Sequence, residues 1–287
     1  MKTDAQRPSR WLEGLLTGPG LLWLLFFFLL PTLNVLLISF RPSTLTGGIG
    51  TGWTLDTFTQ LRNPNYPAIL FRTVWVSMWI TVLCLFFSIP VAYCLARAPV
   101  RWKTRLLLLI MVPFLTNFII RVFAWKVILH PEGWVAAVLS GLGLMAPGTQ
   151  LLYNVHAVVL VSVYTYLPFS LLPIYAAAEK FDFSLLEAAM DLGCRRLQAF
   201  MKVFVPGVSR GIWTATLLVL IPNLGAYVIP DIIGGHRSMM LGNVIARRLF
   251  SDRNLPHAAS LSSLLTLLVL LPMVVVIFVR RRRERAT

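Results

Sequence analysis

Residues 185–206 read LLEAAMDLGCRRLQAFMKVFVP, a polar stretch in a chain that is otherwise strongly apolar. Ser184 precedes this stretch and Glu187 follows three residues later, which is the spacing of a capping box at the start of a helix. Gly193 tolerates a left-handed backbone and is well placed to end that helix after about two turns. The sequence therefore predicts a short helix, a bend at Gly193, and a second helix, RRLQAFMKVFV, that Pro206 closes.

A helix this short is unstable alone in water, so it must pack against another part of a protein. Leu185, Leu186, Ala189 and Leu192 give it a small apolar face beside its acidic residues. Two interpretations stay open from this pattern alone. The segment is either a loop that lies against its own domain or a docking surface for a soluble partner.

The rest of the chain has the composition of an integral membrane protein. Of its 287 residues, 57% are hydrophobic and 13% are charged, which is too little charge to cover the surface of a soluble domain of this length. A hydrocarbon core of about 30 Å needs about 20 apolar residues in each helical span. Six windows meet this requirement and predict an all-α, polytopic membrane protein with six transmembrane helices: 14–40, 73–96, 106–129, 154–178, 212–229 and 258–279.

The distribution of basic residues predicts the orientation of these spans. Of the 26 lysines and arginines, 17 fall in the N-terminal segment, in two loops at 97–105 and 179–210, and in the C-terminal tail. Cytoplasmic segments of membrane proteins are enriched in such residues, so we expect both termini to be cytoplasmic. Five bases directly after an apolar span, in the tail RRRRER, are typical of a topology anchor, and we expect no nucleic-acid partner.

Motifs for catalysis are absent from the sequence. The chain has neither a GxxxxGK[ST] phosphate loop nor an HExxH metal helix. GVSRG at 207–211 matches the GxSxG nucleophile pattern, but it joins a polar helix to a membrane span and has no nearby histidine. The four histidines are scattered, without ligand spacing. We therefore expect no enzymatic activity, no metal and no cofactor held by this chain.

The stretch EAAMDLGCRRLQAFMKVFVP resembles the EAA loop of ABC-importer permeases, with the pattern filled in order from Glu187 to Pro206. The resemblance implies a type I ABC importer permease fold with a cytoplasmic coupling helix between spans four and five. In that family this helix sits in a groove of a separate ATP-hydrolysing subunit, which would bind the ATP. The residues that the resemblance assigns to this coupling are Glu187, Ala188, Ala189, Asp191, Gly193 and Pro206.

Other segments extend the resemblance to the spermidine/putrescine permeases: TLDTFTQLRNPNY, VPFLTNFIIRVFAW, YTYLPFSLLPIYAAAEKFD, IPNLGAYVIPDIIGG and LGNVI. It implies a single permease domain over 1–287, containing the coupling loop 179–210, in the bacterial cytoplasmic (inner) membrane. The implied partners are a second permease subunit in a heterodimer, two copies of an ATP-binding subunit, an extracytoplasmic substrate-binding protein and membrane lipid. Ala226 departs from the pattern, because some diamine-transporting members carry an acid there. Another small solute, such as an amino-acid-like compound or an inorganic ion, therefore stays open.

A polyamine needs carboxylates, carbonyls and aromatic faces to replace the water around its ammonium groups. Asp231 lies two residues beyond the outer end of the fifth predicted span, and an acid at membrane depth is a functional candidate. Arg121 would repel a cation, so we expect it to be structural, either pairing with Asp231 or capping carbonyls. The predicted substrate-path residues are Asp231, Tyr227, Asn223, Tyr166, Tyr164 and Asn117.

Two other classes of membrane protein fit the sequence less well. An ion-coupled secondary transporter would explain the hydropathy, but the chain has no clear inverted repeat and its EAA segment would have no role. A membrane enzyme would need a clustered nucleophile or metal set, which the sequence lacks.

Overall fold

A computed structural model describes residues 10–44, 48–146 and 148–284. These residues are helical, as predicted, apart from connecting turns and an isolated bridge between Ser43 and Ile49. The helices are α1 (Arg10–Leu24), α2 (Leu30–Ile38), α3 (Asp56–Thr59), α4 (Asn65–Arg97), α5 (Val100–Met111), α6 (Phe118–Ile128), α7 (Trp134–Gly141), α8 (Val155–Glu179), α9 (Ser184–Asp191), α10 (Arg196–Ala199), α11 (Val205–Gly207), α12 (Ser209–Leu224), α13 (Val228–Ile233), α14 (Leu241–Phe250) and α15 (Leu255–Glu284).

The contacts between residues divide the chain into two compact units. The first comprises the described parts of Met1–Asn63 and Ile245–Thr287, and the second is Pro64–Val244, so the boundary falls inside α14. The single permease domain over 1–287 stays a prediction, because a division by packing says nothing about function.

In the first unit, a π turn at Leu25–Leu29 joins α1 to α2. Pro31 follows shortly after this turn. Its ring would clash with the carbonyl four residues back and it has no N–H to donate, so the wider π turn lies just before it. No residue in the most apolar window of Thr17–Ile38 is buried, and α15 packs against α2. The apolar segment Thr17–Ile38 lies within the predicted span 14–40.

The core of the second unit is formed where α4, α8 and α12 pack side by side. Small residues bring the helices close together. A Cβ atom added at Gly211 of α12 would lie 2.6 Å from the carbonyl oxygen of Pro173 in α8. The buried hydroxyls of Ser88 in α4 and Ser170 in α8 are hydrogen-bonded to each other. Such contacts between small side chains are typical of packed membrane helices.

The third predicted span, 106–129, is wrong as a continuous helix. Val100–Leu115 and Phe118–Ile128 meet at an angle of 89°. Pro113 lies in a tight 3₁₀ turn at Val112–Leu115, and the Oδ1 atom of Asn117 accepts a hydrogen bond of 2.8 Å from the N–H of Ile119. The asparagine thus caps a new helix, and hydropathy alone does not reveal this change of direction.

The fifth predicted span, 212–229, is also interrupted. Its helix α12 ends at Leu224, and α13 begins only at Val228. Before it, Arg196–Gly207 and Ser209–Leu224 are bent by 71°. The second helix of the 179–210 loop therefore ends at Gly207, one residue beyond Pro206, which was predicted to close it.

By length and composition, three of the described helices could cross a membrane, or up to five if each bent pair counts as one span. The described apolar part of α15, Leu255–Leu271, is shorter. The number of six transmembrane helices therefore stays a prediction.

Candidate functional site

The start of α9 is capped by Asp182 rather than by Ser184. The Oδ1 atom of Asp182 accepts a hydrogen bond of 3.0 Å from the backbone N–H of Ser184, and α9 begins at Ser184 itself. Hydrogen bonds from the Ser184 side chain and backbone lower the pKa of the Asp182 carboxyl. The predicted capping box of Ser184 and Glu187 is wrong, because Ser184 is the first residue of the helix and its own N–H is bonded to the Asp182 carboxylate.

The end of α9 is a Schellman motif centred on Gly193. The N–H of Cys194 donates to the carbonyl of Ala189 at 3.0 Å, and the N–H of Gly193 donates to the carbonyl of Met190 at 2.9 Å. Gly193 has a φ of +90°, the left-handed conformation that was predicted for it. The two hydrogen bonds fix the direction in which the chain leaves the helix.

One face of α9 packs on a group of aromatic rings, which we call the aromatic cluster: Tyr93, Phe181, Phe183, Phe200 and Phe204. Leu186, which is 4% exposed, points toward this cluster together with Ala189 and Met190. Aromatic pairs packed edge to face stabilise such contacts beyond the effect of buried area. The cluster holds α9 against the end of α4.

Gly207 leaves room for one ring of the aromatic cluster. A Cβ atom added at Gly207 would overlap the ring of Phe181.

An ion pair holds the beginning of the 179–210 loop. Lys103 of α5 lies 3.6 Å from the carboxylate of Glu179, which also accepts a hydrogen bond from the hydroxyl of Tyr175. Glu179, the first residue of the loop, is thus tied to α5 and α8.

The opposite face of α9 is exposed. We call it the knob surface: Leu185, Glu187, Ala188, Asp191 and Leu192. The prediction of one apolar face is wrong, because Leu186 and Ala189 point inward whereas Leu185 and Leu192 point outward, the latter 87% exposed. An exposed, partly apolar surface on a helix that is anchored from behind can receive a partner without rearranging.

The six predicted substrate-path residues do not form one cluster. Tyr164 lies between Phe114 and Trp125, with ring centroids 5.4 Å from each. Asn117 is occupied in capping α6. Tyr166 instead packs at a separate apolar group around Ile80 and Val219.

Arg121 was predicted either to pair with Asp231 or to cap carbonyls; the pairing is wrong, and the buried Nε and Nη1 atoms of Arg121 cap no carbonyl of the described residues. Within the described ranges the two side chains form no ion pair, and the guanidinium of Arg121 lies 4.9 Å from the centre of the Phe114 ring. Its Nε and Nη1 atoms are buried and have no hydrogen-bond partner in the described part of the chain. Asp231 is exposed on α13.

Asn243 is the important residue that sequence reasoning missed. Its amide nitrogen donates to the carbonyl of Tyr227 at 2.9 Å and lies 3.5 Å from Oδ1 of Asp231. Its Oδ1 accepts from the N–H of Met240, the residue just before α14. The residue therefore holds the break between α12 and α13, and an asparagine in the first turn of a helix was the available signal.

The break itself is tightly packed. A Cβ atom at Gly242 would lie 2.5 Å from the carbonyl oxygen of Ala226, so no side chain fits there. The N–H of Asp231 donates to the carbonyl of Tyr227 at 2.9 Å, which places these two predicted residues one turn apart.

Asn223 lies just before the break and is 1% exposed. Its amide nitrogen donates to the carbonyl of Val219 at 3.1 Å, whereas its Oδ1 has no partner among the described residues.

The described residues contain no group of three histidine, cysteine or carboxylate side chains that could hold a metal ion.

No protein-family model matches the chain. It is 35% identical to the spermidine/putrescine transport system permease protein PotB of Haemophilus influenzae, over 92% of this chain and 91% of that protein. It is 34% identical to PotB of Escherichia coli, over 86% and 90% of the two chains. The inner membrane ABC transporter permease protein YdcU of Escherichia coli is 27% identical over 90% of this chain and 86% of that protein.

Solved structures show the fold. One is a bacterial ABC transporter that imports the acidic polysaccharide alginate, with a TM-score of 0.65 over 96% of both chains. Another is an alginate ABC transporter in complex with an alginate pentasaccharide-bound periplasmic protein, with a TM-score of 0.70 over 96% of this chain and 95% of that one. Both are 17% identical to this chain, so they establish the permease fold and not the cargo. With about a third of its residues shared over nearly the whole length of the PotB proteins, the chain belongs to the spermidine/putrescine permease family of ABC transporters.

Proposed function

We propose that the chain is a transmembrane permease subunit of an ABC importer and forms half of the translocation path for a polyamine such as spermidine or putrescine. Membership of the PotB family is the observation that carries this proposal. Members of this family are transport subunits rather than enzymes, so the chemical step of ATP hydrolysis belongs to another chain. The chain itself would need no cofactor.

The proposed topology has six transmembrane helices in the bacterial inner membrane, with both termini and the 179–210 loop in the cytoplasm. The family is a family of membrane permeases. The orientation is supported by the 17 basic residues that this topology places on the cytoplasmic side. The whole of 1–287 would act as one permease domain.

The knob surface of α9 is the proposed ATPase-coupling element. The capped helix is rigid over its own length, because Asp182 and the Gly193 turn fix its two ends. Its inner face is anchored on the aromatic cluster, so a force applied to Glu187, Ala188 or Asp191 would be passed to α4 and α12. Gly193 and Pro206 would set the path of the chain, and Ala189 would keep α9 close to the cluster.

The proposed partners are a second permease subunit, two copies of an ATP-binding subunit and an extracytoplasmic substrate-binding protein. The alginate transporter with the same fold was solved with a periplasmic protein, which supports the last of these. Membrane lipid would surround the chain, and no nucleic acid is involved.

The proposed substrate path centres on Asp231 with Tyr227 one turn away, and on Asn223 at the end of α12. A carboxylate with a tyrosine side chain nearby can replace part of the water around an ammonium group. Tyr164 and Asn117 would line a second part of the path, and Tyr166 a third. The alternative cargo is another small solute, since Ala226 removes one acid that some diamine transporters carry.

Reconstituted uptake tests this function. Proteoliposomes that contain both permeases and the ATPase should accumulate spermidine or putrescine in the lumen. This uptake should require ATP in the lumen and binding protein in the external medium. Uptake driven by a proton or sodium gradient alone would instead indicate a secondary transporter. Saturable uptake of an amino-acid-like compound or an inorganic ion, without polyamine uptake, would support the alternative cargo.

Crosslinking tests the coupling element. A cysteine introduced by Ala188→Cys should crosslink to the ATPase subunit with a yield that changes with nucleotide. Glu187→Arg should weaken this contact, because a base in the first turn opposes the helix dipole. The coupling proposal fails if no position on the knob surface crosslinks and Glu187→Arg transports normally.

A further inference from the structure

A cavity of about 560 Å³ lies between the end of α4 and the 179–210 loop. Two arginines, Arg97 and Arg196, line it together with apolar and aromatic side chains that include Tyr93, Leu186 and Met190. This volume is within the range of small-molecule sites, roughly 300–1,000 Å³. The combination of two positive charges with an apolar wall is characteristic of a site for an amphiphilic anion.

The two arginines are available to such an anion. No carboxylate lines the cavity, and within the described ranges neither arginine forms an ion pair. Arg97 is held in place, because its Nη1 donates to the hydroxyl of Tyr93 at 2.7 Å and its guanidinium packs on the Tyr93 and Phe183 rings. A guanidinium has five N–H donors, so one such bond leaves several that can bind phosphate oxygens.

The cavity lies at the end of a membrane helix. Arg97 is the last residue of α4, a helix of 33 residues that is long and apolar enough to cross a bilayer. The end of such a helix meets the layer of lipid headgroups, where the phosphates of a bilayer are found. The aliphatic residues of the wall can contact the methylene groups that continue below a headgroup.

The cavity and the knob surface use different sides of α9. Leu186 and Met190 face the cavity, one turn apart on the inner side of the helix. Glu187, Ala188 and Asp191 are exposed and do not line it. A molecule in the cavity could therefore remain bound while a protein occupies the knob surface, which favours a lipid over a side chain of the ATPase.

We propose that this cavity binds the headgroup phosphate of an anionic phospholipid between Arg97 and Arg196. Basic pockets beside the cytoplasmic ends of membrane helices bind anionic lipid headgroups in this way. Bound lipid would join α4 to the start of α10 and so brace α9 from behind. This effect on coupling rests on the proposed function of α9, whereas the binding itself does not.

Lipid retention by the purified full-length chain tests the binding. The chain in detergent is titrated with phosphatidylglycerol or with phosphatidylcholine, and bound lipid is counted by native mass spectrometry. The wild type should retain phosphatidylglycerol preferentially, and Arg196→Gln should weaken that retention about fivefold. Arg195→Gln is the matched control, because it removes the same charge from the neighbouring exposed residue outside the cavity. Arg97→Gln should behave like Arg196→Gln, but Arg97 also supports the aromatic cluster, so Arg196 carries the test.

Three outcomes would overturn the proposal. Equal losses in Arg195→Gln and Arg196→Gln would indicate attraction by the whole basic surface rather than by the cavity. Displacement of the lipid by millimolar inorganic phosphate would identify a site for a free anion. Displacement by the ATPase subunit would make the cavity part of the protein interface. Because retention is measured without ATP or polyamine, failure here is separate from failure of the proposed transport function.

Discussion

The 179–210 loop and the break between α12 and α13 interrupt apolar helices in two different ways. The two ends of α9 in the loop are fixed by hydrogen bonds between residues close in sequence, from the N–H of Ser184 to Asp182 and from the N–H of Cys194 to the carbonyl of Ala189. The break is fixed from a distance, because Asn243 binds the carbonyl of Tyr227, 16 residues earlier. A locally determined element keeps its shape when its surroundings move, whereas a break held by a distant residue depends on that residue's position.

The largest expected effect concerns the packing of the break. Gly242→Ala should destabilise the protein by about 1–3 kcal/mol, because the added Cβ atom would overlap the carbonyl of Ala226. Gly141→Ala is the matched control, since nothing lies within 4 Å of a Cβ atom there. That change should be neutral or stabilising by up to about 1 kcal/mol, as expected for glycine in a helix. Thermal unfolding in detergent measures both, and effects of the same sign would contradict the predicted contact.

The next effect concerns the end of α9. Gly193→Val should destabilise the left-handed turn by about 1–2 kcal/mol and change the exit direction of the chain. Space is not the cause, because nothing lies within 4 Å of a Cβ atom at this position. Gly193→Asn should be tolerated, since asparagine adopts this conformation more readily. The measurement is the number of polyamine molecules taken up per ATP hydrolysed, and an unchanged ratio in Gly193→Val would make the turn irrelevant to coupling.

Asp231→Asn probes the charge at the break. It should lower polyamine transport about tenfold, because an amide compensates poorly for the lost hydration of an ammonium group. Folding should be little affected, since Asp231 is exposed, forms no ion pair with described residues, and the Oδ1 of an asparagine can still accept the 3.5 Å hydrogen bond from Asn243. Initial uptake rates and thermal stability are measured together. Unchanged uptake would remove Asp231 from the path, and a loss of stability would assign it a structural role.

The smallest effect is the pH dependence of the α9 cap. The folded-state pKa of Asp182 is lowered, so its contribution to stability is present above the ordinary carboxyl pKa of 3.8 and is lost as pH falls through the lowered value. Asp182→Asn should keep a cap and lose this acid dependence. Hydrogen exchange of the Ser184 amide from neutral to acidic pH measures the difference. An identical pH profile in the two proteins would contradict the assignment.

Much of the 179–210 loop could be predicted from sequence because its determinants are local. The short helix and the left-handed Gly193 follow from residues within one turn of each other. The cap was assigned to Ser184 rather than Asp182, because both residue types cap helices and their spacing differs by only two positions. Which side of α9 each leucine faces depended on the aromatic cluster, whose members Tyr93 and Phe204 are far apart in sequence.

The interruptions of the predicted spans could not be read from hydropathy. Pro90, Pro168 and Pro173 lie inside α4 and α8 without ending them, whereas Pro113 stands beside a turn of 89°. The difference at the third span is Asn117, which caps a new helix. The roles of Arg121 and Asn243 depended on contacts with residues in other helices, and no local pattern encodes such contacts.

The Schellman turn places a native thiol directly behind the proposed coupling helix. Cys194 follows Gly193, and its N–H donates the hydrogen bond of the motif that spans more residues, to the carbonyl of Ala189. Cys84 is buried, whereas Cys194 is partly accessible, so a mild alkylating reagent would react at very different rates with the two thiols. The labelling rate of Cys194 in a Cys94→Ser background would report opening of this turn during the transport cycle, without any probe added to the protein.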